Sequence, residues 1–230
     1  TRRYRQYMQA VSTAIADATP VKPRLRGVFH QYAFFVSLAF GVGLILAASD
    51  GRARLAAGIY AAAVSALLGT SALYHRVTWR PQARRWMRRL DHSMIFVLIA
   101  GTYTPVALLA LKGSLASTIL IVLWIGALGG VIFKLAWIDA PKWLFAIVYV
   151  LLGLVTAAVF GELPAAIGWL GAIGIALGGL LYLTGAVIYA SERPNPWPKV
   201  FGYHEVFHTL VLAAAGLHYA VIAFAVLPHG

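Results

Sequence analysis

Apolar positions gather into seven long stretches along this chain, separated by short polar breaks. The stretches lie near Val28–Ala48, Leu55–Tyr74, Asp91–Leu111, Leu115–Leu135, Trp143–Phe160, Ala165–Tyr189 and Tyr203–Leu227. The breaks are Ser49-Asp50-Gly51-Arg52, Arg76–Arg89, Lys112-Gly113, Asp139-Ala140-Pro141-Lys142, Gly161-Glu162-Leu163-Pro164 and the proline-rich run Glu192–Lys199. At 1.5 Å per residue, each stretch is long enough to cross a hydrocarbon core of roughly 30 Å as a helix. The pattern predicts an all-α integral membrane protein: a seven-transmembrane helix bundle over residues 28–227, preceded by a basic segment at 1–27. No internal repeat stands out.

Composition supports that class. The chain is 61% hydrophobic and 11% charged, with 22 Gly among 230 residues. A soluble domain of this size could not hide so much apolar surface, and glycine is frequent in membrane helices. The net charge of +12 would suggest nucleic acid in a soluble protein. Here the basic residues flank the apolar stretches, so the expected partners are membrane lipids, with anionic headgroups at Arg76–Arg89, and not nucleic acid. There is no cysteine, which excludes disulfides and thiolate metal sites. Residues 1–27 are polar and basic, and the first apolar stretch is too long for a signal-peptide core; it reads as a retained span.

The basic residues also orient the bundle. With seven spans, one side carries Arg2, Arg3, Arg5, Lys22, Arg24 and Arg26, the six arginines of Arg76–Arg89, Lys134, Lys142, Arg193 and Lys199. The other side carries Arg52, Arg54 and Lys112, a split of 16 to 3. The positive-inside rule then puts the N-terminus in the cytoplasm and the C-terminus outside, in a multi-pass protein of the cell membrane.

Ionisable groups inside membrane helices are costly and mark function by default. His75 closes the second stretch, Asp91 opens the third, and His204 and His208 open the seventh. The topology brings all four to the cytoplasmic end. His204 and His208 are four residues apart, on one helical face about 6 Å from each other. Ser71 and His75 repeat that spacing. Three imidazoles without sulfur favour zinc, with a fourth position left for water. His30 is a candidate contact behind these ligands. His218 faces nearly the same way as His204 but lies about 21 Å further along the helix, beyond reach of the same ion. His92 is expected to point elsewhere, and His229 is on the far side. Thr102-Tyr103-Thr104-Pro105 reads as a kink whose hydroxyls cover backbone groups freed by proline.

His204-Glu205-Val206-Phe207-His208 matches the zinc-protease pattern H-E-x-x-H. That reading fails on its third ligand. No acidic residue follows Glu205, and Ala214 occupies the position of the histidine in the extended form.

Ser71-Ala72-Leu73-Tyr74-His75, Arg89-Leu90-Asp91-His92-Ser93, Ala100-Gly101-Thr102-Tyr103-Thr104-Pro105 and the His204–His208 pentad together resemble the haemolysin III proteins. These are the bacterial branch of the progestin and adipoQ receptor family, which includes the adiponectin receptors. The resemblance runs from about Lys22 to Leu227 and extends to a superfamily of membrane hydrolases that includes alkaline ceramidases. It implies a seven-helix bundle with His75, His204 and His208 on zinc, Asp91 on the reacting water and Ser71 behind them. Many relatives carry an acidic residue and an Asn before the first-span histidine, where this chain reads Arg24-Leu25-Arg26-Gly27-Val28-Phe29-His30. The activities implied are zinc-dependent hydrolysis of a lipid amide or ester, membrane lysis as in the haemolysin name, or sensing through a structural zinc. A cavity beside the histidines would mark the first. A tightly packed bundle would mark the last.

Overall fold

The computed structural model describes residues 3–8 and 22–229, so most of the basic segment at 1–27 lies outside the described residues. The described elements are helices joined by short connections. Helix α1 is Val28–Ala47, α2 is Gly51–Arg76, and α3 is Pro81–Pro105 running into a π turn at Val106–Ala110. Helix α4 is Gly113–Ala136, and α5 is Lys142–Gly153 tightening into a 3₁₀ stretch at Leu154–Val159. Helix α6 is Leu163–Ser191, and α7 is Tyr203–Val221 followed by a π turn at Ile222–Val226.

Local chemistry sets several of these boundaries. The Asp50 carboxylate accepts from the Ala53 backbone N–H at 2.7 Å and caps α2. Pro81 opens α3, where its missing N–H costs nothing. Within α6, Gly168 takes φ 73°, a left-handed break that favours glycine.

Six helices among the described residues are long and apolar enough to cross a membrane. The fifth apolar stretch is also helical but shorter. Outward-facing side chains such as Leu170 (88% exposed), Phe224 (81%) and Leu46 (77%) give the apolar outer surface of an integral membrane bundle. The inner surface packs Phe96, Leu123, Phe145 and Ile175 in one cluster, and Leu67, Leu98 and Val211 in another.

The two ends of the bundle are distinct. At one end, the Arg24 backbone N–H donates to Lys199 O at 3.1 Å, and Arg89 Nε donates to Leu135 O at 2.9 Å. Arg88 Nη2 donates to Ile138 O and to Asp139 Oδ1. The described parts of the most basic connections therefore meet on one face. At the other end Val106, Leu111, Val159, Leu163, Ile167 and Val226 pack together. Helix α5 runs between the two.

The Thr102–Pro105 stretch differs in detail from expectation. Thr102 Oγ1 donates to Leu98 O at 2.7 Å and Thr104 Oγ1 to Ala100 O at 2.8 Å. Both hydroxyls add bonds to carbonyls four residues back. Neither covers the Gly101 carbonyl, the one that residue 105 would have bonded in a regular helix. The helix responds to proline by widening into the π turn that follows.

Candidate metal centre and its cavity

Two helical turns build the site. Ser71 and His75 face inward from the end of α2, and His204 and His208 face inward from the start of α7; all four are buried. Ligand nitrogens of His75, His204 and His208 lie within 4.8 Å of one another. His75 Nε2 and His204 Nε2 are 3.2 Å apart. Two nitrogens on one tetrahedral zinc, each at about 2.0–2.1 Å, stand roughly 3.3 Å apart, so this pair fits that ion. The donor set of three imidazoles fits it too.

The surroundings fix these rings. The His30 ring stacks on His208 at 3.9 Å, nearly parallel, and His30 Nδ1 is 2.9 Å from Ser71 Oγ. Ser71 also interacts with the Asp91 carboxylate. His30 therefore stands against one ring of the trio and against Ser71. Gly27 makes that possible: it caps α1 at φ 77°, and a Cβ there would overlap the Cβ of His75. Asp91 Oδ2 is 3.8 Å from His75 Nε2, too far for a direct hydrogen bond, and its side chain is 11% exposed. It stands beside the trio and not in it.

Glu205 was not singled out for the role it has here. Its carboxylate is fully buried, accepts from the Gly202 backbone N–H at 2.8 Å, and forms an ion pair with Arg26 Nε. It caps α7 and ties the segment before α1 to it, and is not free to act as the base of an H-E-x-x-H protease. A Glu three residues past a helix N-cap is a capping-box pattern, the one sequence signal for this role. The third imidazole of the trio comes from α2, 129 residues before His204.

The centre opens into a cavity of about 1360 Å³. At the basic end its mouth is lined by Lys22, Arg26, Arg84, Arg88 and Lys199. Partial burial, then the guanidiniums of Arg76, Arg84 and Arg26, hold the Lys22 ammonium below its ordinary value. Beyond the histidines and Asp91 the walls become mostly apolar, with Leu98, Phe145, Val150 and Leu183 among them. His92, expected to point elsewhere, also lines this space, its ring 6.2 Å from that of Tyr189. Tyr149 of α5 donates to the His92 carbonyl at 3.0 Å and Tyr189 of α6 stands against its ring, so α3 is flanked by neighbouring helices at this turn and the side chain after Asp91 also meets the bundle.

A family model described as haemolysin-III related matches residues 18–219. The chain belongs to that family. Among haemolysin-III relatives, it is 33% identical over 166 residues to a hemolysin-3 homolog of Bacillus subtilis (strain 168), covering 72% of this chain and 75% of the other. It is 29% identical over 231 residues to hemolysin-3 of Bacillus cereus, covering 99% and 98%. A 60-residue stretch, 24% of this chain, is 45% identical to the adiponectin receptor protein of Drosophila melanogaster and covers 12% of it. Each residue of the histidine centre of this haemolysin-III related protein falls inside the matched span.

Proposed function

We propose that this protein binds one zinc ion through His75, His204 and His208 and hydrolyses an amide or ester bond of a membrane lipid held in the cavity. The observation that carries this reading is the opening of a buried three-histidine centre, with a carboxylate 3.8 Å from one ring, into a large and mostly apolar space. A purely structural zinc has no use for such a space. Bound there by neutral ligands, zinc supplies a Lewis acid that brings the pKa of water towards 7.

The chain's own groups then divide the work. Asp91 takes the proton of the attacking water and returns it to the leaving nitrogen or oxygen. With Asp91 ionised, a coherent relay runs from His30 Nδ1–H to Ser71 Oγ, and from the Ser71 hydroxyl to Asp91, fixing the carboxylate's orientation. The apolar walls hold acyl chain and exclude bulk water. The basic mouth suits an anionic headgroup.

The proposal includes seven spans with the N-terminus in the cytoplasm and the C-terminus outside. The 12 α-helical residues of α5 and its six 3₁₀ residues rise together roughly 30 Å, because the tighter helix climbs about 2.0 Å per residue. That matches the hydrocarbon core. The 16-to-3 distribution of basic residues supports the same count. A reporter fused after Gly230 should be active only outside; activity only in the cytoplasm sinks the topology.

For the chemistry, purified protein in lipid vesicles is offered ceramides and other acyl lipids, and released fatty acid is measured. The wild type should release it and zinc-stripped protein should not. The relatives' names point to a second outcome, lysis. Vesicle leakage with no fatty acid released above the zinc-free control decides for it and against hydrolysis.

A further inference from the structure

His218 lies ten residues beyond His208 on α7, hence about 15 Å deeper in the same cavity. It is 2% exposed, and its Nε2 is 3.1 Å from the Ile175 carbonyl on α6. A carbonyl only accepts, so Nε2 carries the hydrogen and Nδ1 of the neutral ring is an acceptor. That Nδ1 is buried and meets no hydrogen-bonding group of the protein. Tyr182 of α6 lies alongside, its ring 5.6 Å from His218, and its buried hydroxyl likewise meets none. Both side chains line the cavity.

The arrangement is built rather than incidental. Gly178 leaves the space in which the imidazole lies against α6, and any Cβ there would overlap the ring. A packing histidine needs only the Ile175 bond. It does not explain a second unsatisfied polar group on the neighbouring ring, in a stretch where an apolar residue would cost less.

We propose that His218 Nδ1 and the Tyr182 hydroxyl form a second polar subsite, which holds a hydroxyl group on the acyl chain of the cavity's ligand. The subsite asks for a group that donates to Nδ1 and accepts from the tyrosine. Within an acyl chain a hydroxyl does both. A keto oxygen or a carboxylate only accepts and leaves Nδ1 unmet. With the chain's polar end at the histidine trio, the hydroxyl falls well down the chain, about 15 Å away. The inference rests on the reading that the cavity holds a lipid acyl chain, and not on zinc or on hydrolysis.

The test is competition binding on the full chain in nanodiscs, with a fluorescent fatty acid as the displaced probe. The competitors are hexadecanoic acid and its monohydroxy isomers, with the hydroxyl moved stepwise along the chain. The wild type should prefer one interior or distal isomer over the plain acid by roughly three- to tenfold, the worth of one or two neutral hydrogen bonds. In Tyr182→Phe, which removes a single oxygen, and in His218→Leu, the ratio should fall towards one. Equal binding of all isomers by the wild type overturns the subsite. So does a preference that survives Tyr182→Phe, since the pair then holds only water or packs the helices. If none of the acids displaces the probe, the acyl-chain reading of the cavity and the subsite fall together. If the preference appears but no lipid is hydrolysed, the subsite stands and the hydrolase reading alone fails.

Discussion

At the basic end of the bundle, α2, α3 and α7 keep regular α-helical backbone through every residue that carries a polar group of the centre. At the opposite end α3 and α7 widen into π turns and α5 tightens into a 3₁₀ stretch. The contrast follows from what each end must hold. Two imidazoles four residues apart meet a common point only if the helix between them has its normal pitch. The far end has to fill apolar space among Val106, Val159 and Val226, where a change of pitch shifts methyl groups that can repack. Exactness of backbone is spent on the polar end, and tolerance is left to the apolar one.

That difference can be broken at its strongest point first. His204→Ala should lower zinc, measured by elemental analysis of purified protein, from about one ion per chain to a small fraction of that, since three protein ligands are the minimum for a catalytic site. Full zinc content surviving changes at two of the three histidines places the site elsewhere. Asp91→Asn should keep most of the zinc while fatty-acid release drops about 10²-fold or more, the usual contribution of a general base. Equal loss of metal and activity in that variant would make Asp91 a ligand. Arg26→Ala strands the buried Glu205 carboxylate and should cost roughly 3 kcal/mol in detergent melts. A change within error removes the ion pair from the supports of the centre. The smallest effect belongs to the far end. Thr104→Val loses bonds to Ala100 O and Trp124 Nε1, about 1 kcal/mol, and zinc content should not move.

Much of the polar end was legible in the chain. His75, Asp91, His204 and His208 are ionisable residues at one depth of apolar stretches, and helical spacing alone pairs the last two. Long-range partners were not legible. Arg26 reads as one of many basic residues at a span end, and only the fold carries it 179 positions along the sequence to Glu205. The stacking of His30 on His208 was equally hidden. So was the part of His218: its distance from His204 is plain from residue numbers, but the cavity that joins them is a gap lined by α3, α5, α6 and α7 together, and gaps leave no mark on any single stretch. The 3₁₀ ending of α5 was missed because pitch responds to packing, and its apolar residues suit either helix.

The division of the trio between α2 and α7 has a consequence for biogenesis. A polypeptide delivered to a membrane emerges from its N-terminus onward, so His75 is in place while His204 and His208 are still unsynthesised. A chain cut short anywhere before α7 carries one imidazole of the trio, too few ligands for the zinc proposed above. On the proposed reading, metal capture would report that synthesis and insertion have reached α7, and a copy that stops short of it would never acquire a reactive centre inside the bilayer.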